Sequence, residues 1–451
     1  MTSSPLISPV TAQQIAEVSS ASLEETDAAI TRAREAFGPW RDIAPGERAR
    51  LLRAFAAVVA LHIEELAQIE VSNSGHPIGN ARWEAGNVRD CLNYYSAAPE
   101  RLFGKQIPVA GGVDLTFHEP LGVVGIIVPW NFPMPIAGWG FAPAIAAGNT
   151  VVLKPAEITP LTAIRLGELA VEAGLPEGVL TVIPGKGSVV GERFVTHPDV
   201  RKVCFTGSTS VGKQIMAGCA DQVKRVTLEL GGKSANIVFA DSDVAAAAAA
   251  APSAVFDNAG QDCCARSRIL VQRAAYDEFV GRLEEAVRGM RVKDPAQEDS
   301  EMGPMVSAAQ RDSVQRYIDG ANVAFTGPRP DGDGFWLPPT VVESTSTDEE
   351  VWREEVFGPV VAVMGFDDED EAVTLANDTE YGLSGSIYTN DLGRALRVSR
   401  RVEAGNLSVN SHASVRYWTP FGGYKQSGLG RELGPDAPNA FTEEKNVYYA
   451  H

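Results

Sequence analysis

The sequence predicts an α/β protein built on a doubly wound parallel sheet, and three observations predict it. From residue 121 the chain shows short Val- and Ile-rich runs, "VVGIIV", "TVVL", "VLTVI", "KVCF" and "VTLEL", with the length and texture of strands buried on both faces. Helical stretches such as "LTAIRLGELAVEAG" and "SVGKQIMAGCA" lie between them, so strand and helix alternate. The 451 residues, 44% hydrophobic and 22% charged, are also enough to bury a large core in two or three domains.

Along the chain, Ser22 and Glu25 form a capping box that opens "SLEETDAAITRAREAF", where Ile30, Ala33 and Phe37 recur at helical spacing. A longer helix is expected from Pro45, with Leu52, Phe55, Val59, Ile63 and Leu66 on one face and Gly75 and Pro77 stopping it. Residues 1–101 thus read as a mostly helical approach to the sheet at 121–231. A second α/β stretch continues to about 430, through an alanine-rich helix at 245–251 and a Pro/Gly/Asp loop at 326–334.

The net charge of −19 repels phosphate backbones and anionic membranes, so neither nucleic acid nor a lipid surface is expected as partner. Five cysteines (91, 204, 219, 263 and 264) are few and odd in number, which suits free thiols in a reducing compartment. "MTSSPLISPV" lacks the basic start of a signal peptide, and the longest apolar run, 244–256, is too short to span a bilayer. A soluble, cytoplasmic protein is expected.

Five segments carry candidate chemistry. "FTGSTSVGKQ" (205–214) follows a strand and leads into a helix, so its free N–H groups and the helix dipole can hold a phosphate. Gly207, Gly212 and Lys213 nearly spell a Walker A loop, but Gln214 stands where that loop needs a magnesium-binding hydroxyl, which favours a dinucleotide pyrophosphate. In "VLKPAE", Lys154 and Glu157 fall at the end of a strand, where open α/β sheets bind ligands. A carboxylate there accepts ribose hydroxyls and repels a 2′-phosphate, favouring NAD over NADP; the bland alternative is a surface ion pair. Asn131 of "VPWNFP" is either a rigid oxyanion donor or a turn residue bonding its own backbone. Glu229 of "LELGGKS" is either a general base tuned by burial or a structural carboxyl.

The adjacent Cys263 and Cys264 lack the spacing of zinc or dithiol redox sites, and the six histidines do not cluster with them in sequence, so no metal is expected. A nucleophilic thiol needs a base and an oxyanion hole, which Glu229 and Asn131 can supply from separate segments.

Taken together, the ordered motifs "PWNFP", "KPAE", "FTGSTSVG", "LELGGKS", "GQDCCA", "EEVFGPV" and "PFGGYKQSG" resemble the aldehyde dehydrogenase superfamily from about residue 7 to 449. The resemblance implies a Rossmann-like NAD-binding domain (1–101 and 121–231), an α/β catalytic domain (232–431) and a small β oligomerisation element (102–120 and 440–451). In that family a cysteine thirty-four positions after the base glutamate is the nucleophile, which selects Cys263 and leaves Cys264 as a space-filling neighbour pointing away. Further implied are oxidation of a small-molecule aldehyde through a thiohemiacetal and a thioester, an oxyanion held by Asn131 and the Cys263 N–H, Glu229 as base toward water, and Glu432 as a second acid. Lys154 and Glu157 would hold the adenosine ribose, Gly207, Ser208 and Gly212 the pyrophosphate, and Glu355 and Phe357 the nicotinamide riboside, with Val128, Trp130 and Leu230 near by.

The implied aldehyde tunnel runs along Phe132, Ile136, Trp139, Asp262, Trp418 of "SVRYWTP" and Phe421. Asp262 stands next to the thiol, where it raises the thiol pKa unless paired, and Arg416 is one candidate partner. Alternatively Asp262, with Trp139 and Trp418, suits a polar or cationic substrate such as an aminoaldehyde. Against the family pattern, the strands that often precede "LISPVTAQQIAEV" look missing and "NVYYAH" looks short for a subunit-pairing strand. A homodimer or homotetramer is expected, the tetramer being the weaker case. A cysteine hydrolase that never uses a nicotinamide, or a silent binding protein on the same fold, are the competing readings.

Overall fold

A computed structural model describes residues 2–413 and 415–450. Its largest features are two parallel-rich sheets, one for each α/β stretch of the sequence. In the first, six strands run in the spatial order Gly428–Leu429, Arg225–Glu229, Val200–Thr206, Val123–Ile127, Thr150–Lys154, Leu180–Val182. Only the short edge strand Gly428–Leu429 is antiparallel to its neighbour. From the central strand Val123–Ile127 the chain moves outward to one side through 150 and 180, then crosses to the other side at Val200. That reversal opens a crevice beyond the carboxyl ends of Val123–Ile127 and Val200–Thr206, the place where a doubly wound sheet takes its ligand.

The Val- and Ile-rich runs form these strands because both faces are covered. Val123–Ile127 and Thr150–Lys154 are buried throughout. Helix Pro133–Ala146 is buried along its entire length, and packs with Phe55, Val88 and Leu92 of the N-terminal helices into one cluster on this side of the sheet.

The second sheet has seven strands, in the order Val323–Thr326, Thr340–Glu343, Val360–Phe366, Arg268–Gln272, Ala235–Val238, Ser384–Tyr388, Asn406–Val409. All pairings are parallel except the first. The alanine-rich segment is the helix Val244–Phe256, capped by Asp243 and continuous through Pro252.

One local expectation is corrected. The predicted long helix from Pro45 is two, Pro45–Leu61 and Ile63–Ser74, because His62 leaves helical geometry (φ −110°, ψ 15°) and its imidazole bonds Glu65 of the next turn. Gly75 then ends the second helix in the left-handed region at φ 81°, as its sequence position predicts. The N-terminal stretch itself forms a hairpin that its sequence does not announce: Thr2–Ile7 and Gln14–Ser20 pair antiparallel ahead of the Ser22 capping box. At the other end, Thr442–Ala450 pairs antiparallel with Gly112–Pro120. With Gln106–Ile107 these make a three-stranded antiparallel sheet. Among the described residues, no helix is long and apolar enough to cross a membrane.

Candidate active site

Three strands of the first sheet end in the crevice and deliver its residues. Val123–Ile127 runs into Pro129, Trp130 and Asn131; Val200–Thr206 into Gly207 and Ser208; Arg225–Glu229 into Leu230 and Gly231. From the second sheet come Cys263 and the segment Glu355 to Phe357. Together they line a cavity of about 310 Å³. The nucleophile, base and oxyanion candidates, Cys263, Glu229 and Asn131, therefore meet although up to 132 positions separate them in sequence.

Each of the three is held. Asn131 is buried and its side-chain Nδ2 donates to the Gln261 carbonyl at 2.9 Å, while its own carbonyl accepts from Asn258 Nδ2 at 2.8 Å. Glu229 closes its strand at 2% exposure, and its Oε1 has no hydrogen-bond partner. Burial raises its carboxyl well above the usual range, the neighbouring Cys264 and Glu432 push the same way, and a bond with the Cys263 side chain opposes them. The Cys263 thiol is itself raised, first by its hydrogen bond with Cys264, then by burial and by Glu229.

Cys264 is thus not the remote space-filler the sequence suggested. It is buried in the core beside helix Pro133–Ala146, yet its sulfur lies within 4.8 Å of both the Cys263 sulfur and an Asp262 carboxylate oxygen. The turn explains this: Asp262 Oδ1 accepts the Cys264 N–H at 2.8 Å, winding three consecutive side chains together. No ion pair joins Asp262 to Arg416 among the described residues. Arg266 is the cation that lowers the Asp262 carboxyl, against the raising effect of burial.

The other predicted residues divide into two groups. Trp130, Gly207, Ser208, Leu230, Glu355 and Phe357 line the cavity, while Val128, Lys154, Glu157 and Gly212 do not. Glu157 is exposed, and accepts the Gly187 N–H at 3.2 Å; the Lys154 ammonium turns to the Pro155 carbonyl, its pKa lowered by burial. Gly212 packs under Leu230, where any Cβ would collide. Glu355 Oε1 takes the Gly232 N–H at 2.7 Å, and burial lifts its carboxyl to about 7. Phe357 sits at φ 55° with its ring edge-on to Trp130 at 5.2 Å.

Of the tunnel candidates, Ile136 and Trp139 face the core of helix Pro133–Ala146. Trp139 bonds Asn87 Oδ1 at 2.8 Å and meets the Phe421 ring at 5.5 Å. Phe132 rests on His76. Trp418 borders a separate cavity of about 520 Å³ with Trp83, Arg89, Asp90 and Arg416. Ser414 of that loop lies outside the described residues. Glu432 does not line the 310 Å³ cavity but is close enough to raise Glu229; burial lifts its own carboxyl to about 7, with Lys202 opposing.

Sequence reasoning missed the wall formed by Gln310, Ser313 and Tyr317 on helix Ala308–Asp319. Their spacing of three and four marks one helical face, but nothing in the sequence says what that face meets. Gln310 donates to the Phe357 carbonyl at 2.9 Å, which ties the helix to the cavity. The buried Gln261 was also missed; its Oε1 accepts the Val306 N–H while its carbonyl holds Asn131.

A doubly wound sheet whose crevice brings together a cysteine, a buried carboxyl and a fixed amide has the parts that thiol covalent chemistry at a dinucleotide-type cleft requires. Comparison with known proteins makes this specific. The model of the "Aldehyde dehydrogenase family" matches residues 2–447. An aldehyde dehydrogenase of Emericella nidulans is 43% identical over 452 residues, covering 98% of this chain and 91% of the relative. A peroxisomal aminoaldehyde dehydrogenase 2 of Pisum sativum is 40% identical over 460 residues, covering 98% and 92%. The crystal structure of a betaine aldehyde dehydrogenase from Staphylococcus aureus in complex with NAD+ superposes with a TM-score of 0.96 at 38% identity, covering 99% of this chain and 91% of that one. The chain belongs to the aldehyde dehydrogenase family and is an oxidoreductase acting on aldehydes.

Proposed function

We propose that this protein oxidises a polar aldehyde to its carboxylic acid with NAD, using Cys263 as nucleophile. The observation that carries the proposal is the meeting of Cys263, Glu229 and Asn131 in one cavity that is also lined by the turn at Gly207 and Ser208. No histidine lines that cavity, which disfavours a cysteine–histidine hydrolase.

The cleft fits the cofactor. Helix Thr209–Ala220 starts at Ser208 with no side chain capping its first turn, leaving N–H donors for a pyrophosphate. Trp130, Leu230 and Phe357 offer apolar walls, Glu355 a carboxylate for ribose hydroxyls, and Glu157 another beside Lys154. NAD, when bound, supplies the hydride acceptor.

Glu229, bonded to the Cys263 side chain, takes the thiol proton as sulfur attacks the aldehyde carbon. The Asn131 amide and the Cys263 N–H hold the oxyanion of the thiohemiacetal. Loss of hydride leaves a thioester on Cys263. Glu229 then deprotonates the water that hydrolyses it, and Glu432 accepts protons passed on from Glu229. A raised pKa suits carboxyls that must take up and release protons, and Glu432, at about 7, does so near neutrality.

A polar or amino-bearing aldehyde is supported by the pea relative and by the mixed aromatic and charged lining of the 520 Å³ cavity. The three-stranded sheet exposes Val113, Phe117, Tyr448 and Tyr449, which supports pairing with a second copy of the chain. Following NADH absorbance with NAD and an aldehyde panel tests the activity; an intact protein that yields no signal overturns it. Within the panel, a kcat/KM favouring hexanal over 4-aminobutanal, unchanged in Asp262→Ala, removes the polar substrate.

A further inference from the structure

Outside the cavity lies a dry cluster of metal-ligating side chains for which the proposed chemistry has no use. One helical hairpin assembles it. Glu70 stands near the end of helix Ile63–Ser74, Gly75 turns the chain at φ 81°, His76 follows, and Glu84 stands in the second turn of helix Ile78–Tyr95. The three side chains belong to residues 1%, 2% and 0% exposed. His76 Nδ1 lies 2.5 Å from Glu84 Oε1 and 3.8 Å from Glu70 Oε1, and one donor atom from each residue falls within 4.8 Å of the other two. The imidazole also packs against the Phe132 ring at 5.4 Å.

Protons alone leave this cluster unsatisfied. Among the described residues, neither carboxyl pairs with a lysine or arginine, and Glu70 Oε1 and Glu84 Oε2 have no hydrogen-bond partner. A proton shared between His76 and Glu84 neutralises that pair but leaves Glu70. Protonating Glu70 removes its charge, yet its Oε1 still has no group in reach to donate to or accept from, a costly state for a buried polar atom. A divalent cation removes both defects at once. Two carboxylates and a neutral imidazole around a doubly charged ion sum to zero, as burial without water requires. Glu70 Oε1, both oxygens of Glu84 and His76 Nδ1 then supply four donors, the number used by closed structural sites. Donors from different side chains stand about 3.3 Å apart around a tetrahedral ion bound at about 2.0 Å. The 3.8 Å gap to Glu70 therefore closes slightly, and the 2.5 Å contact opens as the ion replaces the shared proton. The Thr162 hydroxyl of helix Leu161–Glu172 donates to Glu70 Oε2 at 3.0 Å, which leaves Oε1 on the imidazole side, the way hydrogen bonds orient ligating carboxylates. Asp257, whose charge also reaches Glu84, has partners of its own in Asn80 Nδ2 and the Asn258 N–H.

We propose that Glu70, His76 and Glu84 form a structural site for a divalent first-row transition ion of the zinc type. One imidazole nitrogen among carboxylate oxygens suits such an ion, whereas magnesium and calcium take oxygen ligands. The ion clips helix Ile63–Ser74 to helix Ile78–Tyr95 across Gly75 and, through the His76 ring, backs Phe132. It takes no part in the reaction, and its binding is independent of aldehyde oxidation. Because all three donors are buried, the ion enters as the chain folds and adds its binding energy to folding.

The full-length protein, produced in zinc-supplemented medium and passed through gel filtration, should carry about one zinc per chain by plasma mass spectrometry. It should also melt several degrees above the same protein produced in zinc-depleted medium, because the ion binds only the folded chain. Glu70→Gln keeps the shape of the side chain and removes one ligand charge, so it should lose most of the zinc and the difference in melting temperature. Asp262, Cys263 and Cys264 also bring donor atoms within 4.8 Å of one another, so Cys264→Ala serves as the control and should keep the ion. An unaltered protein without zinc overturns the proposal, as does zinc retained in Glu70→Gln or lost only in Cys264→Ala. If Glu70→Gln does not fold, anomalous diffraction at the zinc edge from crystals of the unaltered protein decides. A peak between Glu70, His76 and Glu84 is expected; a peak only elsewhere, or none, overturns the site.

Discussion

The backbones of Phe421 and Glu432 exchange two hydrogen bonds of 2.7 Å across an isolated antiparallel bridge. That bridge brings a tunnel candidate and an acid candidate from a long C-terminal loop back against the first sheet, where Phe421 packs on Trp139.

Because the bridge holds Glu432 half-buried, with its Oε2 shut away from solvent, its carboxyl stays protonated to about pH 7 in the folded chain and to about 4.5 in the unfolded one. The folded state therefore binds the extra proton, and this contribution to stability is full below pH 4.5 and lost as pH rises through 7. In Glu432→Gln the fall in melting temperature between pH 5 and 8 should be shallower than in the unaltered protein. Parallel curves for the two proteins would place Glu432 in water rather than in the core.

The two adjacent thiols should separate by function. Cys263→Ala should abolish NADH formation, whereas Cys264→Ala should keep it within about tenfold. Since the bond with Cys264 is the foremost cause of the raised Cys263 pKa, the pH profile of iodoacetamide alkylation should shift to lower pH in Cys264→Ala. A shift to higher pH would contradict that order of causes.

Cofactor choice should rest on Glu157, the exposed carboxylate beside the Lys154 strand end. The unaltered protein should favour NAD over NADP in kcat/KM, and Glu157→Ser should narrow the ratio by about tenfold, since one unfavourable charge contact is worth on the order of 1.4 kcal/mol. Direct titration of both cofactors checks it; a ratio that does not move assigns the discrimination elsewhere.

Trp139 should matter to stability more than to chemistry. It is 8% exposed, bonded to Asn87 and packed on Phe421. Trp139→Ala should cost about 3–5 kcal/mol by leaving a cavity, read as a lower denaturant midpoint. Trp139→Phe should cost less, because the ring contact survives while the Asn87 oxygen loses its indole donor and keeps only the weak Cys91 thiol.

Much of the fold was legible because strand and helix texture is local. Five apolar runs became the five parallel strands of the first sheet, and "KPAE" and "FTGSTSVG" fell at strand ends because Lys154 and Thr206 are the last residues of theirs. The split at His62 was not legible, since the apolar stripe from Leu52 to Leu66 continues through a one-residue change of φ and ψ. Nor was the N-terminal hairpin: Gln14–Ser20 has no fully buried side chain, only half-buried Ala16, Val18 and Ser20, too weak a face for a pattern to reveal.

By itself the sequence determined the order of elements, the family and which cysteine stands thirty-four places after Glu229, because these depend on residue identity and spacing along the chain. Only the tertiary structure decided what meets what. It turned Cys264 toward Cys263 through the Asp262 turn, kept Asp262 from Arg416, and brought a wall of Gln310, Ser313 and Tyr317 to the cavity. It also set His76 between Glu84 and the Phe132 ring. The physical reason is that burial and long-range packing fix the solvation and partners of a polar group, and those depend on residues a hundred or more positions away.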